Sequence, residues 1–304
     1  MKGQIIKLVA GQYTVYASDI KKSFDCKPLG VFRHRDLKPK VGDIVEFEDG
    51  IITKIDERRN DLIRPAICNI DQALVVTSVK KPNLNLNLLD RFLVILEHHH
   101  ITPFLIFSKW DLLDNNESKN IKEIIDYYGQ IGYSSIITSK EKINLNELKE
   151  ILKNKISLIT GESGVGKSSL LNSLDDSLNI KTNEISLALN RGKHTTRHVE
   201  LINISDGWVA DTPGFGNLSL EEVDENELPK LFIEFNDYSC NCKFTSCKHQ
   251  NEKICGIKDA VLNGQIRKER YDNYLSFLNE IKNIRKWWYK WKLHHQFLRL
   301  ILLI

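Results

Sequence analysis

Residues 161–168 read Gly-Glu-Ser-Gly-Val-Gly-Lys-Ser and satisfy the pattern G-x-x-x-x-G-K-[ST] in full. Few octapeptides restrict a fold more. Glycines at these spacings let successive backbone N–H groups converge on one anion without Cβ clashes. A strand must end and a helix begin at such a loop, so that the helix N-terminus adds its positive potential. The flanks agree, with ISLIT strand-like before the loop and SSLLNSL helix-like after it. Gly161, Glu162, Ser163, Gly164, Val165 and Gly166 then form a phosphate cradle. Lys167 neutralises phosphate charge, Ser168 can ligate Mg²⁺, and Ser169 adds a further nucleotide contact.

The loop lies inside a longer alternating pattern. QALVVTSV, TPFLIFS, SSIITS, ISLITG, RHVELINI and GWVAD read as strands, with helical patterns between them. Leu88, Leu89, Phe92, Ile95 and Leu96 recur at helical spacing, and Asn144 with Glu147 resembles a capping box. This alternation predicts a mainly parallel sheet over residues 67–219. Residues 1–66 instead show short β-branched runs punctuated by Gly and Asp, which predict a small barrel. An OB-type barrel is the first choice, with an SH3-like barrel as the alternative. Residues 220–304 read as helices around a cysteine-rich loop.

Two segments speak to the base of a bound nucleotide. Ser108-Lys109-Trp110-Asp111 follows one strand, and Thr138-Ser139-Lys140 follows another. One carboxylate can accept from both N1–H and N2–H₂ of guanine, and Asp111 supplies it. Lys109 would lie along the base, and the 138–140 backbone can reach guanine O6. Ser108 stands where such motifs usually carry Asn, and its shorter side chain predicts weaker nucleotide affinity. Asp211-Thr-Pro-Gly214 follows the strand GWVA, with Asp211 able to hold Mg²⁺ through water and Gly214 able to sense a γ-phosphate. Between them lies Arg191-Gly-Lys-His-Thr-Thr-Arg197, in which Thr195 or Thr196 could complete the Mg²⁺ sphere. The residue after Gly214 is Phe215, which cannot hydrogen-bond water. Intrinsic hydrolysis should therefore be slow, and His194 is the in-chain candidate to assist it. The base motifs precede the phosphate loop, so the order is circularly permuted.

Four of the six cysteines lie between Cys240 and Cys255. Cys242-x₄-Cys247-x-His249-x₅-Cys255 is a closed Cys₃His set suited to structural Zn²⁺. Cys240 is spare, being only two residues from Cys242. The triplet His98-His99-His100 reads as a solvated helix end.

Net charge is only +3, but from Gly264 onward nine Lys/Arg face three Asp/Glu, with aromatics interleaved. That mixture suits RNA phosphates and bases, and equally a packed helix. No secretory pattern and no apolar run of spanning length is present, so a cytoplasmic chain without membrane contact is expected.

The order SKxD, TSK, phosphate loop, GKHTT, DTPG resembles the RsgA family of circularly permuted, small-subunit-dependent GTPases. VGDIVEFE, RRNDLIRP and NIDQALVV resemble that family's junction between barrel and GTPase domain. The resemblance implies a monomeric assembly factor that binds the 30S ribosomal subunit and 16S rRNA. It also implies ribosome-stimulated hydrolysis of GTP to GDP, with Mg²⁺ at the nucleotide and one structural zinc. A P-loop kinase would leave the guanine motifs, barrel and cysteine set unexplained. A non-hydrolysing RNA-binding protein is opposed by intact Lys167, Ser168 and Asp211.

Overall fold

The computed structural model describes residues 1–30, 32, 37–63, 65–140, 143–175, 199–211 and 218–301, with backbone only at 211 and 286–301. His194, Thr195, Thr196, Gly214 and Phe215 lie outside the described residues. By its contacts the chain divides into two compact units, Met1–Leu84 with His99–Asn217, and Asn85–His98 with Leu218–Ile304.

In the first unit, β1 (Lys2–Val9), β2 (Gln12–Ala17), β3 (Lys22–Pro28), β4 (Ile44–Glu48) and β5 (Ile51–Ile55) form the N-terminal barrel. Alternation drives it: Tyr13, Val15 and Ala17 of β2 are buried while their neighbours face outward. Two-residue turns, Ala10-Gly11 and Asp49-Gly50, have positive φ at both positions, matching the twist of the strands they join. The strand order is β1-β2-β3-β5-β4, with β3 and β5 parallel, and a β1–β4 pairing closes the ring. This is the OB-type arrangement. Strand β3 is an element that the sequence pattern left unread.

A short ladder, β6 (Asp61–Leu62) with β7 (Ile67–Cys68), leads out of the barrel. Arg58 anchors this linker by gripping both oxygens of fully buried Asp43, at 2.7 and 2.8 Å.

The α/β part contains β8 (Gln72–Ser78), β9 (Thr102–Ser108), β10 (Ser135–Ile137), β11 (Ile156–Thr160), β12 (Glu200–Ile204) and β13 (Gly207–Asp211). Their order is β10-β9-β8-β11-β13-β12, and every pairing is parallel except β12–β13. The run continues into the barrel, because β1 pairs with β12 at Lys7 opposite Glu200. Helices α2 (Asn115–Gln130), α3 (Leu145–Leu152) and α4 (Lys167–Leu174) belong to this unit, while α1 (Leu86–His98) does not. The core joins Leu74, Ile106 and Ile159 of the sheet to Leu148, Leu152, Leu170 and Leu171 of the helices. Asn144 caps α3 by accepting from the Glu147 amide, and a full reciprocal capping box, Asp114 with Glu117, starts α2.

The sequence pattern placed α1 among the strands that flank it. Its contacts group it instead with the C-terminal unit, which also holds α5 (Leu228–Leu231), α6 (Phe235–Tyr238), α7 (Gly256–Leu262) and α8 (Lys268–Ile301). The reason is a buried charge cluster. Arg270 of α8, 2% exposed, donates to Asp90 of α1 at 2.7 Å and to Glu234 at 2.8 Å. Asn273 donates to the second Asp90 oxygen at 2.6 Å. The guanidinium also lies over the Phe232 ring, 4.5 Å from its centroid. Nearby, Arg91 forks onto Glu280 at 2.5 and 2.8 Å. His98, expected to be solvated, is half-buried and paired with Glu227 at 2.9 Å.

Removing the cation from a buried pair leaves uncompensated carboxylates, so Arg270→Met is expected to cost about 3–5 kcal/mol. Urea unfolding combined with hydrogen exchange of the α1 amides measures it. A loss below about 1 kcal/mol would show that the cluster does not hold α1.

Candidate functional site

Parallel strands deliver their carboxyl ends to one edge of a sheet. Here Ser78 pairs in register with Ser108, Ile137 with Phe107, and Thr160 with Val75. The segments 108–111, 138–140 and 161–168 therefore rise from the same edge. Asp211 ends β13 beside them, with its backbone opposite Glu200.

The phosphate loop joins β11 to α4 as the sequence predicts. Gly161 has φ 141°, and a Cβ there would lie 2.0 Å from the Val76 carbonyl, so no other residue fits. Gly166, at φ 103°, is the residue preceding the first turn of α4. Glu162, Ser163 and Gly164 are exposed, Val165 is buried, and Ser169 is exposed on the helix. Lys167 Nζ lies over the loop, donating to the carbonyls of Gly161 at 2.8 Å and Glu162 at 2.7 Å. Ser168 is 2% exposed, and its Oγ has no hydrogen-bond partner among the described residues. A buried, unsatisfied hydroxyl at the start of this helix fits a Mg²⁺ ligand.

The two base-side segments are laced together. Trp110 N–H donates to the Thr138 carbonyl at 3.2 Å, and Thr138 N–H donates to Phe107 at 2.8 Å. Asp111 is exposed, and one of its carboxylate oxygens accepts from the Lys140 amide at 3.1 Å. Lys109 has φ 62°, and its ammonium bonds the Lys81 carbonyl. Thr138 is buried and Ser139 half-buried. Ser108 Oγ lies 2.5 Å from the Val165 carbonyl, to which it donates, with the Thr77 carbonyl at 3.2 Å. The shorter side chain thus still ties the base segment to the phosphate loop, a bond the sequence reading did not foresee.

In the C-terminal unit, Cys242, Cys247, His249 and Cys255 bring one donor atom each within 4.8 Å of one another. His249 Nδ1 lies 3.5 Å from Cys242 Sγ and 3.4 Å from Cys255 Sγ, and those two sulfurs are 4.0 Å apart. Tetrahedral zinc with Zn–S ~2.3 Å and Zn–N ~2.0 Å requires S···N of about 3.5 Å and S···S of about 3.8 Å. The donor set fits the ion. Burial pushes the Cys247 thiol up to about 12, raises Cys255 and lowers His249. A dication reverses that preference for protonated sulfur.

The surroundings hold the donors. Amides of Ile257 and Lys258 at the start of α7 point to Cys255. Gly256 is obligatory, because a Cβ would lie 2.2 Å from the Tyr238 carbonyl. Tyr271 and Tyr274 donate to the carbonyls of His249 and Lys248 at 2.7 and 2.6 Å. Cys240 is exposed and outside the set.

Comparison with known proteins agrees with this layout. The RsgA GTPase family matches residues 55–221, and the RsgA N-terminal domain matches residues 2–53. The chain is 47% identical over 287 residues to small ribosomal subunit biogenesis GTPase RsgA 2 of Oceanobacillus iheyensis, covering 92% of this chain and 97% of that one. It is 42% identical over 291 residues to the Bacillus subtilis RsgA, covering 93% and 98%. Among solved structures it resembles YloQ, a circularly permuted GTPase, with TM-score 0.81, 38% identity and coverage of 93% and 95%. It resembles YjeQ from Thermotoga maritima with TM-score 0.81, 36% identity and coverage of 92% and 98%. Sequence, sheet order and site together make this chain a member of the RsgA family of circularly permuted GTPases.

Proposed function

We propose that this GTP hydrolase acts in the cytoplasm, as a monomer, on the small ribosomal subunit, binding it late in maturation and leaving its rRNA after hydrolysis. The observation that carries the reading is the joining of guanine-side and phosphate-side segments on one sheet edge, in a chain whose relatives are named for small-subunit biogenesis. Residues 1–66 and 220–304 are the proposed rRNA-binding domains, flanking a GTPase domain at 67–219.

Asp111 accepts from the guanine edge, with Lys109, Thr138 and Ser139 shaping the base slot and Ser108 bracing it. Amides of 161–166 bind the β-phosphate oxygens, and Lys167 offsets charge building on the transferring group. Ser168, Asp211 and one of Thr195 and Thr196 would hold Mg²⁺, which would neutralise phosphate charge there. Gly214 reports the γ-phosphate, and His194 orients the attacking water where Phe215 offers no donor. Cys242, Cys247, His249 and Cys255 hold structural zinc, supported by the donor spacing.

Hydrolysis with and without 30S subunits tests the reading. Stimulation should fall at least about 100-fold in Lys167→Ala, the scale of removing one donor to the transition state. Stimulation by 30S that is absent in the wild type would remove the ribosomal assignment, and unchanged stimulated hydrolysis in His194→Ala would remove that role. Asp111→Asn should lower GTP affinity about 100-fold and favour xanthosine triphosphate, whose O2 accepts from the new amide. Competition binding reads this. Cys255→Ala should lose the single equivalent of zinc, and chelation should lower the melting temperature of the C-terminal unit. Metal analysis and hydrogen exchange check both.

A further inference from the structure

The metal set leaves a short rim facing solvent. Lys243, Phe244, Thr245 and Ser246 span the gap between Cys242 and Cys247, and Lys253 and Ile254 precede Cys255. All six are exposed. Phe244 is 53% and Ile254 56% exposed, and Phe244 is the only exposed phenylalanine among the described side chains. In the same unit Phe232, Phe235, Tyr274 and Phe277 are all buried.

The exposure is imposed by the loop. Cys247 N–H donates to the Phe244 carbonyl at 3.2 Å, closing a tight turn. Lys243 N–H donates to the Ile254 carbonyl at 3.4 Å, bringing the two rim segments side by side. Cys247, His249 and Cys255 occupy the inward side, so the ring cannot fold beneath the loop. The result is an exposed aromatic ring on a loop whose backbone is tied at both of these hydrogen bonds.

Charge narrows what fits on it. Lys243 Nζ lies over one face of the Phe244 ring, 5.4 Å from its centroid, and exposed Lys253 precedes Ile254 in sequence. No carboxylate occurs from Tyr238 to Asn251. Glu252, next to Lys253, is turned onto the amides of Lys248, Gln250 and Asn251 at 2.7, 2.9 and 3.0 Å. An exposed aromatic ring with cations on the same rim matches a nucleobase and its phosphates.

We propose that Phe244, with Lys243 and Lys253 on the same exposed rim, is a stacking platform for an unpaired base of RNA. This rests on the reading that the chain binds the small ribosomal subunit. The test uses the full-length, zinc-loaded chain, with zinc content confirmed for every variant. Affinity is measured for 30S subunits and for a labelled single-stranded decauridylate. Phe244→Leu keeps apolar area but loses the π-face, and should weaken binding about 5- to 150-fold, the range of one base–aromatic stack. Phe244→Trp should bind like the wild type. Lys243→Ala and Lys253→Ala should each lower the salt slope by about 0.7, the value for one phosphate contact on a single strand. A photo-crosslinker placed at position 244 should capture a nucleotide.

If the wild type binds the subunit while Phe244→Leu binds equally well, or the crosslink joins a protein, the platform is wrong and the ribosomal reading stands. If only the decauridylate binds, and depends on Phe244, the platform stands and the ribosomal reading falls. Binding to neither removes both.

Discussion

A parallel sheet sends every strand's carboxyl end to the same edge, and the chemistry of this chain depends on that single geometric fact. Strand β11 carries the phosphate loop, and β8 lies between it and the strand that carries Asp111. Because each ladder is in register, Ser108 and Val165, 57 residues apart in sequence, close to hydrogen-bond distance. The order in which the strands are made does not enter this geometry. Circular permutation therefore moves the chain ends without moving the site.

The same economy extends to the barrel. One edge of β1 pairs with β2 from Gln4 to Val9, while the other is divided. Lys2 to Gln4 close the barrel against β4, and Lys7 faces Glu200 of β12, with a salt bridge of 2.8 Å. A register shift between Ile5 and Lys7 lets one strand serve both sheets. The Tyr16 and Trp208 rings meet edge-on at 5.1 Å across the same junction. Barrel and α/β sheet are thus hydrogen-bonded into one structure, and β12 is the strand that follows the segment holding Thr195 and Thr196.

What could be read in the sequence divides along a physical line. The phosphate loop, the base segments and the metal set demand particular residue types at short spacings, because phosphates, guanine and zinc each impose their own geometry. Continuous apolar runs likewise mark the central strands such as β8 and β11, and alternation marks most of the barrel. Hidden were the features whose partners lie far along the chain. The pattern at Leu89, Phe92 and Ile95 predicts a helix but cannot say that Arg270 waits for Asp90. Nothing local in β1 marks its pairing with β12. His98 looked like a solvent residue because Glu227, its partner, is 129 positions away. The Ser108 bond to Val165 is hidden in the sequence because the fold, not the length of the side chain, brings the carbonyl within reach.

The position of α1 has a consequence for how the chain is made. Asp90 leaves the ribosome 180 residues ahead of Arg270. At ~5–20 residues per second, that interval is on the order of 10–40 s. Throughout it, α1 presents Leu89, Phe92 and Leu93, destined for a core that does not yet exist, together with a carboxylate destined for burial. Strands on either side of it can already pair, because β8, β9, β10 and β11 are all complete by residue 160. The nascent protein therefore passes through a state in which a sheet has formed and a helix looped out of it remains undocked, and the last third of the chain completes a unit begun before residue 100.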